Sequence, residues 1–202
     1  VKVMGGEDWK DWITALKNAD AIEPDAITVA YSYIGPVLTH PMYRDGSIGK
    51  AKDHLFKTAK EITEEFNGIR AYLSVNKALV TQSSAAIPIV PLYISILYKV
   101  MKAKGCHEGC IEQMYRLFNQ KLFGEKPVLD AEGRIRLDDL ELQDDIQEEV
   151  TKLWSDISTE KIAECADIDG YWEEFYKLFG FKVTGVDYDA ETDVEVKIDS
   201  ID

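Results

Sequence analysis

A tyrosine and a lysine nine positions apart carry the side chains that proton transfer to an oxygen requires. Lys52 falls inside the apolar stripe of a predicted helix, where a buried ammonium needs a partner. Tyr43 precedes it in YRDGSIGKAK, whose two glycines permit a turn that folds the tyrosine back over the start of the helix. Because a lysine cation favours the ionised form of a nearby tyrosine, the pair suits donation of a proton to a developing oxyanion. The alternatives are a lysine that reaches solvent from the edge of the stripe and an ordinary loop tyrosine.

Tyr33 is a second tyrosine with a position that suits a binding site. It lies at the carboxyl end of a predicted strand, and open α/β sheets bind their ligands beyond that end. We therefore expect its side chain to point towards the region of Tyr43. Ordinary packing of an aromatic side chain is the alternative.

The elements that position these residues alternate between helices and strands. Apolar spacing predicts a helix over about 8–18 and a longer one that has Ser47 as its N-cap and runs to about Phe66. The segments 27–35 (ITVAYSYIG) and 70–75 (RAYLSV) are rich in β-branched and aromatic residues, which is typical of strands buried in a parallel sheet. This order predicts an α/β fold with a doubly wound sheet.

After Val80 the sequence is mainly helical. Residues 81–105 predict an apolar helix with prolines in its first turns and Gly105 as its stop. Further elements are predicted in order along the chain: helices over 107–123, 144–155 and 170–179, a short extended segment over 134–142, and a terminal strand or loosely held tail over 183–198.

Charge and cysteine content exclude several classes of function. The chain has 202 residues with a net charge of −14, so we expect no nucleic-acid partner. The excess is confined to residues 103–202, and residues 1–102 are therefore the better place for an anionic small molecule. Three cysteines, an odd number, favour a reducing compartment over a disulfide framework. The longest apolar run, Ala85–Tyr98, has about 14 residues where a membrane span needs about 20, so it predicts core or pocket wall.

Three motifs together resemble one enzyme family. They are YSYIGP with the Y-x8-K spacing of Tyr43 and Lys52, VNKALVTQSSAAIPIVPLY (75–93) and HEGCIEQ (107–113). They resemble the trans-2-enoyl-CoA reductase family, which includes the type V enoyl-acyl-carrier-protein reductases, and the likeness runs from Lys2 to Tyr188. The long gap between tyrosine and lysine is specific, because ordinary short-chain dehydrogenases and related enoyl reductases have shorter ones.

The resemblance implies a reaction and a role for each candidate residue. The reaction is the NADH-dependent reduction of the C2=C3 double bond of a trans-2-enoyl thioester, carried by CoA or by acyl-carrier protein, in the fatty-acid metabolism of the cytoplasm. Tyr43 is then the proton donor to the thioester oxygen, Lys52 contacts the cofactor and biases Tyr43, and Tyr33 contacts the substrate.

The resemblance also implies a fold and a cofactor segment. Residues 1–82 are expected to form the C-terminal part of a Rossmann-like dinucleotide-binding domain of the short-chain dehydrogenase type, and residues 83–202 a mainly helical substrate-pocket region. Leu79, Val80 and Thr81 are then the residues at the nicotinamide end of NADH. The sequence contains no G-x-G-x-x-G fingerprint.

We therefore expect a fragment. The chain starts at Val1, within what reads as folded sequence, and the resemblance implies a family of roughly twice this length. The chain is then expected to need the N-terminal half of the same enzyme, which is expected to be monomeric at full length.

Two other interpretations remain open. Ser84, Tyr98 and Lys102 have the spacing of an ordinary short-chain dehydrogenase site, and a non-catalytic acyl-binding fragment is the other alternative. The GCHEGC segment (105–110) looks like part of a metal site, but zinc needs four ligands, or three and a water, and no second cluster follows, so no metal is expected. The acidic stretch Asp138–Glu149 is predicted to be a solvated helix face.

Overall fold

The structure is a computed structural model that describes residues 2–123, 126–195 and 197. Its first part contains α1 (Glu7–Asn18), β1 (Ile27–Ser32), a 3-10 turn (Val37–Thr39), α2 (His40–Tyr43), α3 (Ser47–Glu65) and β2 (Arg70–Val75). Its second part contains α4 (Gln82–Ala86), α5 (Val90–Ala103), α6 (Cys110–Arg116), a π-helical turn (Leu117–Leu122), β3 (Ile135–Arg136), α7 (Asp144–Asp156), α8 (Ile162–Cys165) and α9 (Ile168–Lys177).

The three described strands form one parallel sheet in the order β1-β2-β3. β1 pairs with β2 along its whole length, and β3 pairs with the last two residues of β2. The predicted α/β fold with a parallel sheet is confirmed. The predicted burial of β1 is wrong, since Tyr31 is 54% exposed and the other residues of the strand are only half-buried. The reason is that, within the part of the chain that the structure describes, β1 has a neighbour on one edge only.

Helix α3 crosses from β1 to β2 and packs against β2 through its apolar stripe. Ala51, Leu55, Ala59 and Ile62 of this stripe are buried, as the periodicity predicts. The helix begins one residue earlier than predicted, because Gly46 rather than Ser47 is its N-cap. α3 therefore lies along the sheet with its first turn close to the carboxyl ends of the strands.

The predicted apolar helix of the second part is two helices. α4 and α5 are separated at Pro88 and Ile89, and Pro91 lies in the first turn of α5. Gly105 has a φ of +68° and ends the helical stretch as predicted. α5 is buried along most of its length and packs against α7 and α9. Of the two roles predicted for the apolar run, core or pocket wall, the structure shows the core.

Three predicted elements differ from the structure. The helix predicted over 107–123 begins only at Cys110 and continues as a π-helical turn from Leu117. The extended segment at 134–142 is a strand over two residues only. The tail, predicted over 183–198, forms turns and not a strand over 183–195. Residues 196 and 198 of that prediction lie outside the described residues. No helix that the structure describes is long and apolar enough to span a bilayer.

Candidate active site

The carboxyl ends of the three strands bring distant segments together. Tyr33 follows β1, Ala78 lies three residues after β2, and Glu141 lies five residues after β3. The Asn76 N–H donates to the Ser32 carbonyl oxygen at 2.7 Å, so the segments leaving β1 and β2 run side by side. Because the strands are parallel, these segments share one edge of the sheet, where α/β proteins bind ligands.

Lys52 and Tyr43 meet at this edge, as the glycine turn between them permits. The Lys52 ammonium donates to the carbonyl oxygen of Tyr43 at 3.1 Å and to that of Tyr33. Its Nζ lies 4.7 Å from the centroid of the Tyr43 ring and 5.8 Å from that of Tyr33, within the range of a cation–π attraction. The lysine in the apolar stripe thus points at the tyrosine pair and not directly to solvent.

A close approach of the main chain produces this meeting. Tyr43 ends the short helix α2, and the chain then turns back so that the Arg44 carbonyl lies against Gly49 in the first turn of α3. A Cβ atom on Gly49 would overlap the Arg44 carbonyl oxygen. Only glycine permits this packing, which confirms the predicted fold-back of Tyr43 over the helix start.

The electrostatics of the pair differ from the expectation in one respect. Burial, followed by the negative charge of Glu141, raises the pKa of Tyr43 above its usual 10. Burial, followed by the positive charge of Arg44, lowers the pKa of Lys52 to about 8. The predicted bias of Tyr43 towards its ionised form is therefore outweighed here, and Tyr43 is a neutral acid at pH 7. A tyrosine in this state has a proton to donate.

Tyr33 packs edge-on against Tyr43. The two ring centroids are 4.8 Å apart and the ring planes are at 87°. The Tyr33 hydroxyl donates to Oε1 of Glu141 at 2.9 Å, so its only proton is engaged within the protein. A substrate contact of Tyr33 stays a prediction, and it would have to involve the ring or a lone pair of the hydroxyl oxygen.

Glu141 is a buried carboxylate that sequence reasoning assigned to a solvated face. That interpretation is wrong for Glu141 and Asp138, both of which are fully buried. Glu141 accepts hydrogen bonds from Tyr33, from the Tyr93 hydroxyl at 2.6 Å and from the Ala78 N–H at 2.7 Å. Burial raises its pKa. The signal in the sequence was its place in RIRLDDLEL, a predicted extended segment, where Leu140 and Leu142 flank it.

The segment Leu79–Thr81 leads from this edge into α4. The Val80 N–H donates to the Tyr98 hydroxyl at 3.2 Å, and Thr81 caps α4 in a reciprocal pair of hydrogen bonds with Ser84. The main chain is therefore fixed next to the carboxylate that binds Ala78. A cofactor contact of Leu79, Val80 and Thr81 stays a prediction.

The residues of the alternative dehydrogenase site have structural partners. Ser84 is the partner of Thr81 in the cap of α4, and burial raises the pKa of Tyr98, which is 1% exposed. Lys102 forms an ion pair of 2.6 Å with Asp167. Ser84 thus helps to cap a helix, Tyr98 packs in the core and Lys102 forms an ion pair. These contacts favour a structural role for the three residues over a catalytic one.

The GCHEGC segment packs against the core of the second part. The His107 ring lies 4.3 Å from the Tyr98 ring, measured between centroids. Over residues 2–123, 126–195 and 197, no group of three or more histidine, cysteine or acidic side chains is arranged to hold a metal ion.

Fold and site together define an α/β protein with a tyrosine–lysine pair at the carboxyl edge of a parallel sheet. Residues 1–123 match a family model described as the trans-2-enoyl-CoA reductase catalytic region. The chain belongs to the trans-2-enoyl-CoA reductase family, as its motifs predict. Residues 129–192 match a second model, described as an enoyl reductase FAD binding domain.

Relatives and solved structures agree with this assignment. The chain is 53% identical over 203 residues to the NADH-dependent trans-2-enoyl-CoA reductase of Ruminiclostridium cellulolyticum, covering all of this chain and 51% of the relative. It is 55% identical to the NADH-dependent enoyl-acyl-carrier-protein reductase of Flavobacterium psychrophilum, covering all of this chain and 52% of that protein. The structure of the Clostridium acetobutulicum trans-2-enoyl-CoA reductase in complex with NAD matches with a TM-score of 0.88 and 51% identity over 96% of this chain and 51% of that one. The chain thus spans about half the length of the relatives it matches.

The residues of the second model do not fit a flavin dinucleotide. Residues 129–192 hold 19 acidic and 6 basic side chains, which is unfavourable for a pyrophosphate. Arg134 and Arg136 are engaged by Asp130, and Lys177 by neighbouring glutamates. The segment also contains no glycine-rich phosphate loop. We derive no chemistry from FAD in this chain.

Proposed function

We propose that this chain carries the catalytic residues of an NADH-dependent reductase that saturates the C2=C3 double bond of trans-2-enoyl thioesters in fatty-acid metabolism. The observation that carries the proposal is the contact of Lys52 with Tyr43 at the carboxyl edge of a parallel sheet, in a chain of this family. The relatives named above act on CoA and on acyl-carrier-protein thioesters, and either carrier suits the proposal.

The residues of the chain have distinct roles in the proposed reaction. When bound, NADH supplies the hydride that adds to C3, and negative charge then develops on the thioester oxygen. Tyr43 donates its proton to that oxygen, which its raised pKa permits at neutral pH. The Lys52 cation stabilises the tyrosinate that forms and binds the ribose of the cofactor. Tyr33 contacts the substrate beside the thioester, and Leu79, Val80 and Thr81 contact the nicotinamide end.

We further propose that the three-stranded sheet is the C-terminal part of a larger, doubly wound sheet of the short-chain dehydrogenase type. Two features support this: the one-sided pairing of β1 among the described strands, and relatives of about twice the length. Residues 1–82 then complete a dinucleotide-binding domain whose glycine-rich phosphate loop lies in an N-terminal half. Residues 83–202 form the substrate-pocket region, with α4 and the start of α5 along the acyl chain.

The proposed enzyme acts in the cytoplasm as a monomer. The three cysteines of the chain, Cys106, Cys110 and Cys165, are free thiols, which suits a reducing compartment. The monomeric state follows from the same resemblance as the reaction, and sedimentation of the full-length enzyme measures it directly.

The test uses the full-length enzyme, with this chain joined to its N-terminal half. NADH oxidation is followed with a short trans-2-enoyl-CoA for the wild type, Tyr43→Phe and Tyr98→Phe. We expect Tyr43→Phe to lower kcat by about 10²–10⁴-fold, because it removes the proton donor. Tyr115→Phe is the matched control, since Tyr115 is 66% exposed on α6, and it should keep wild-type turnover.

The outcome distinguishes the two tyrosine–lysine sites. Loss of turnover in Tyr98→Phe alone would assign the chemistry to Ser84, Tyr98 and Lys102. A well-folded wild-type enzyme that does not oxidise NADH with any enoyl thioester would refute the proposed reaction altogether.

A further inference from the structure

We infer that Glu141 is a positioning residue that ties the tyrosine side of the active site to the segment that contacts the cofactor. The inference rests on the proposed function for the roles of Tyr43 and of Leu79–Thr81. Its physical content, a buried carboxylate that bridges two segments from different strands, rests on geometry alone.

The two carboxylate oxygens of Glu141 serve different segments. Oε1 accepts from the hydroxyls of Tyr33 at 2.9 Å and Tyr93 at 2.6 Å, whereas Oε2 accepts from the Ala78 N–H at 2.7 Å. Tyr33 in turn packs edge-on against the Tyr43 ring. One side chain, provided by the segment after β3, therefore fixes a group after β1 and a group after β2.

The Ala78 peptide is held from both sides by buried charged groups. Its N–H donates to Glu141, and its carbonyl oxygen accepts from the Lys77 ammonium at 2.9 Å. Lys77 and Glu141 are 1% and 0% exposed. Burying two charged groups costs free energy unless each has partners. Here Lys77 and Glu141 both form hydrogen bonds to Ala78 and so fix the main chain at this edge. The next residues along the chain are those assigned to the nicotinamide.

The loop after β1 is shaped to let Tyr33 reach the carboxylate. Gly35 has a φ of +75°, and a Cβ atom there would lie 2.6 Å from the Tyr33 hydroxyl oxygen. A larger residue at position 35 would displace the hydroxyl from Glu141. The contact is thus part of a packed arrangement and not a chance approach of an exposed side chain.

The decisive substitution is Glu141→Gln in the full-length enzyme. The amide has the size of the carboxylate but only one accepting oxygen. In one orientation its NH₂ group faces the Ala78 N–H, which can only donate; in the other it faces the tyrosine hydroxyls, which must then accept and lose the bonds that they now donate. We expect kcat to fall about 10–100-fold while the KM for the enoyl thioester stays within about threefold, because a small misplacement of reacting groups costs this much. Amide hydrogen exchange in the peptide that contains Ala78, measured without NADH, should become faster.

Matched variants separate positioning from general stability. Tyr115→Phe removes an exposed hydroxyl on α6 and leaves Tyr33, Tyr93 and Ala78 in place, so it should keep kcat within about threefold. Tyr33→Phe should reproduce the part of the loss that comes from the tyrosine side of the bridge. The double variant should be no worse than Glu141→Gln alone, because both changes act on the contact of Tyr33 with Glu141. Glu141→Asp, whose shorter side chain retains the charge but cannot span both segments, serves if the glutamine variant does not fold.

Each result has a definite meaning. Wild-type kcat and unchanged exchange at Ala78 in a folded Glu141 variant would overturn the inference. The inference would also be overturned if the losses of kcat in Tyr33→Phe and Glu141→Gln added up in the double variant. Additive losses would show that the two residues act independently and that Glu141 has a merely structural role. If the wild type is inactive, or if Tyr43→Phe has no effect, the proposed function fails, and hydrogen exchange still tests the bridge.

Discussion

At the scale of single residues, we expect the partly desolvated Lys52 ammonium to limit the pH range of the proposed activity. Burial and Arg44 lower its pKa to about 8, so it loses its proton in the free enzyme as the pH rises through that value. We expect kcat/KM to fall on the alkaline side with an apparent pKa of about 8, because the proposed roles of Lys52 require the cation. Lys52→Arg should move this limb to higher pH, since a guanidinium stays charged there.

The control for this experiment is a lysine on the same helix. Lys50 is exposed on the solvent side of α3, and Lys50→Arg should leave the alkaline limb where it is. An alkaline limb that stays in place in Lys52→Arg would show that another group titrates there.

The same scale shows what a sequence can and cannot reveal about a site. The Lys52–Tyr43 contact was predictable because helical periodicity alone places the lysine in an apolar stripe. Glu141 was not, because its partners Tyr33 and Ala78 lie 108 and 63 positions away. In an acidic stretch, the flanking Leu140 and Leu142 are the one local sign that Glu141 is buried, and they do not reveal its partners.

At the scale of elements, the turn between α2 and α3 sets the distance between Tyr43 and Lys52. Gly49→Ala should lower the stability by about 1–3 kcal/mol, because the new methyl group overlaps the Arg44 carbonyl and the backbone must shift. The shift also moves Tyr43 relative to Lys52, so kcat should fall as well. Urea unfolding and NADH oxidation measure the two effects.

Gly46 provides the matched control three residues earlier. A Cβ atom there has no neighbour within 4 Å, and its φ of −105° is one that alanine adopts. Gly46→Ala should therefore cost much less stability and keep the activity. Equal losses in the two variants would mean that loss of glycine in this turn, and not the Arg44 contact, is what matters.

Regular elements were predictable where the residue pattern of the element and the turn residues at its ends indicate the same bounds. β2 has the predicted bounds, and Gly68, at a φ of +81°, provides the turn before it. Within the helix predicted over 107–123, the buried face of α6 includes Gln113, whereas Ile111 is 77% exposed. A polar residue that packs in the interior reverses the apparent apolar face, and a pattern of apolar residues alone cannot detect this.

At the scale of the whole molecule, His107 makes stability depend on pH. Burial, followed by Lys77 and Lys102, lowers its pKa from 6.5 to about 4, while Asp167 acts in the opposite direction. Between these values the unfolded chain binds a proton that the folded protein does not, so stability falls as the pH decreases from 6.5 to about 4.

His107→Asn should remove this part of the acid sensitivity. Because the imidazole is only partly buried, we expect an effect of about 1 kcal/mol, which makes the decrease in Tm between pH 7 and pH 4.5 smaller by about 2–4 °C. His40→Asn is the control, because His40 lies on α2, away from His107 and the charged groups around it. An unchanged decrease in Tm in His107→Asn would assign the acid sensitivity to the carboxylates.

The bridge built by Glu141 also has a consequence for the order in which the protein is made. The boundary between the two family models falls after residue 123, before β3 and Glu141. On the ribosome, Tyr33, Ala78 and Tyr93 emerge first, and their donors bond to water until Glu141, dozens of residues later, is synthesised. Joining such distant segments carries the entropic cost of closing a long loop. This edge of the sheet is thus completed late in synthesis, and a nascent chain that stops at the boundary has Tyr43 and Lys52 but lacks the carboxylate that Tyr33 and Ala78 bind.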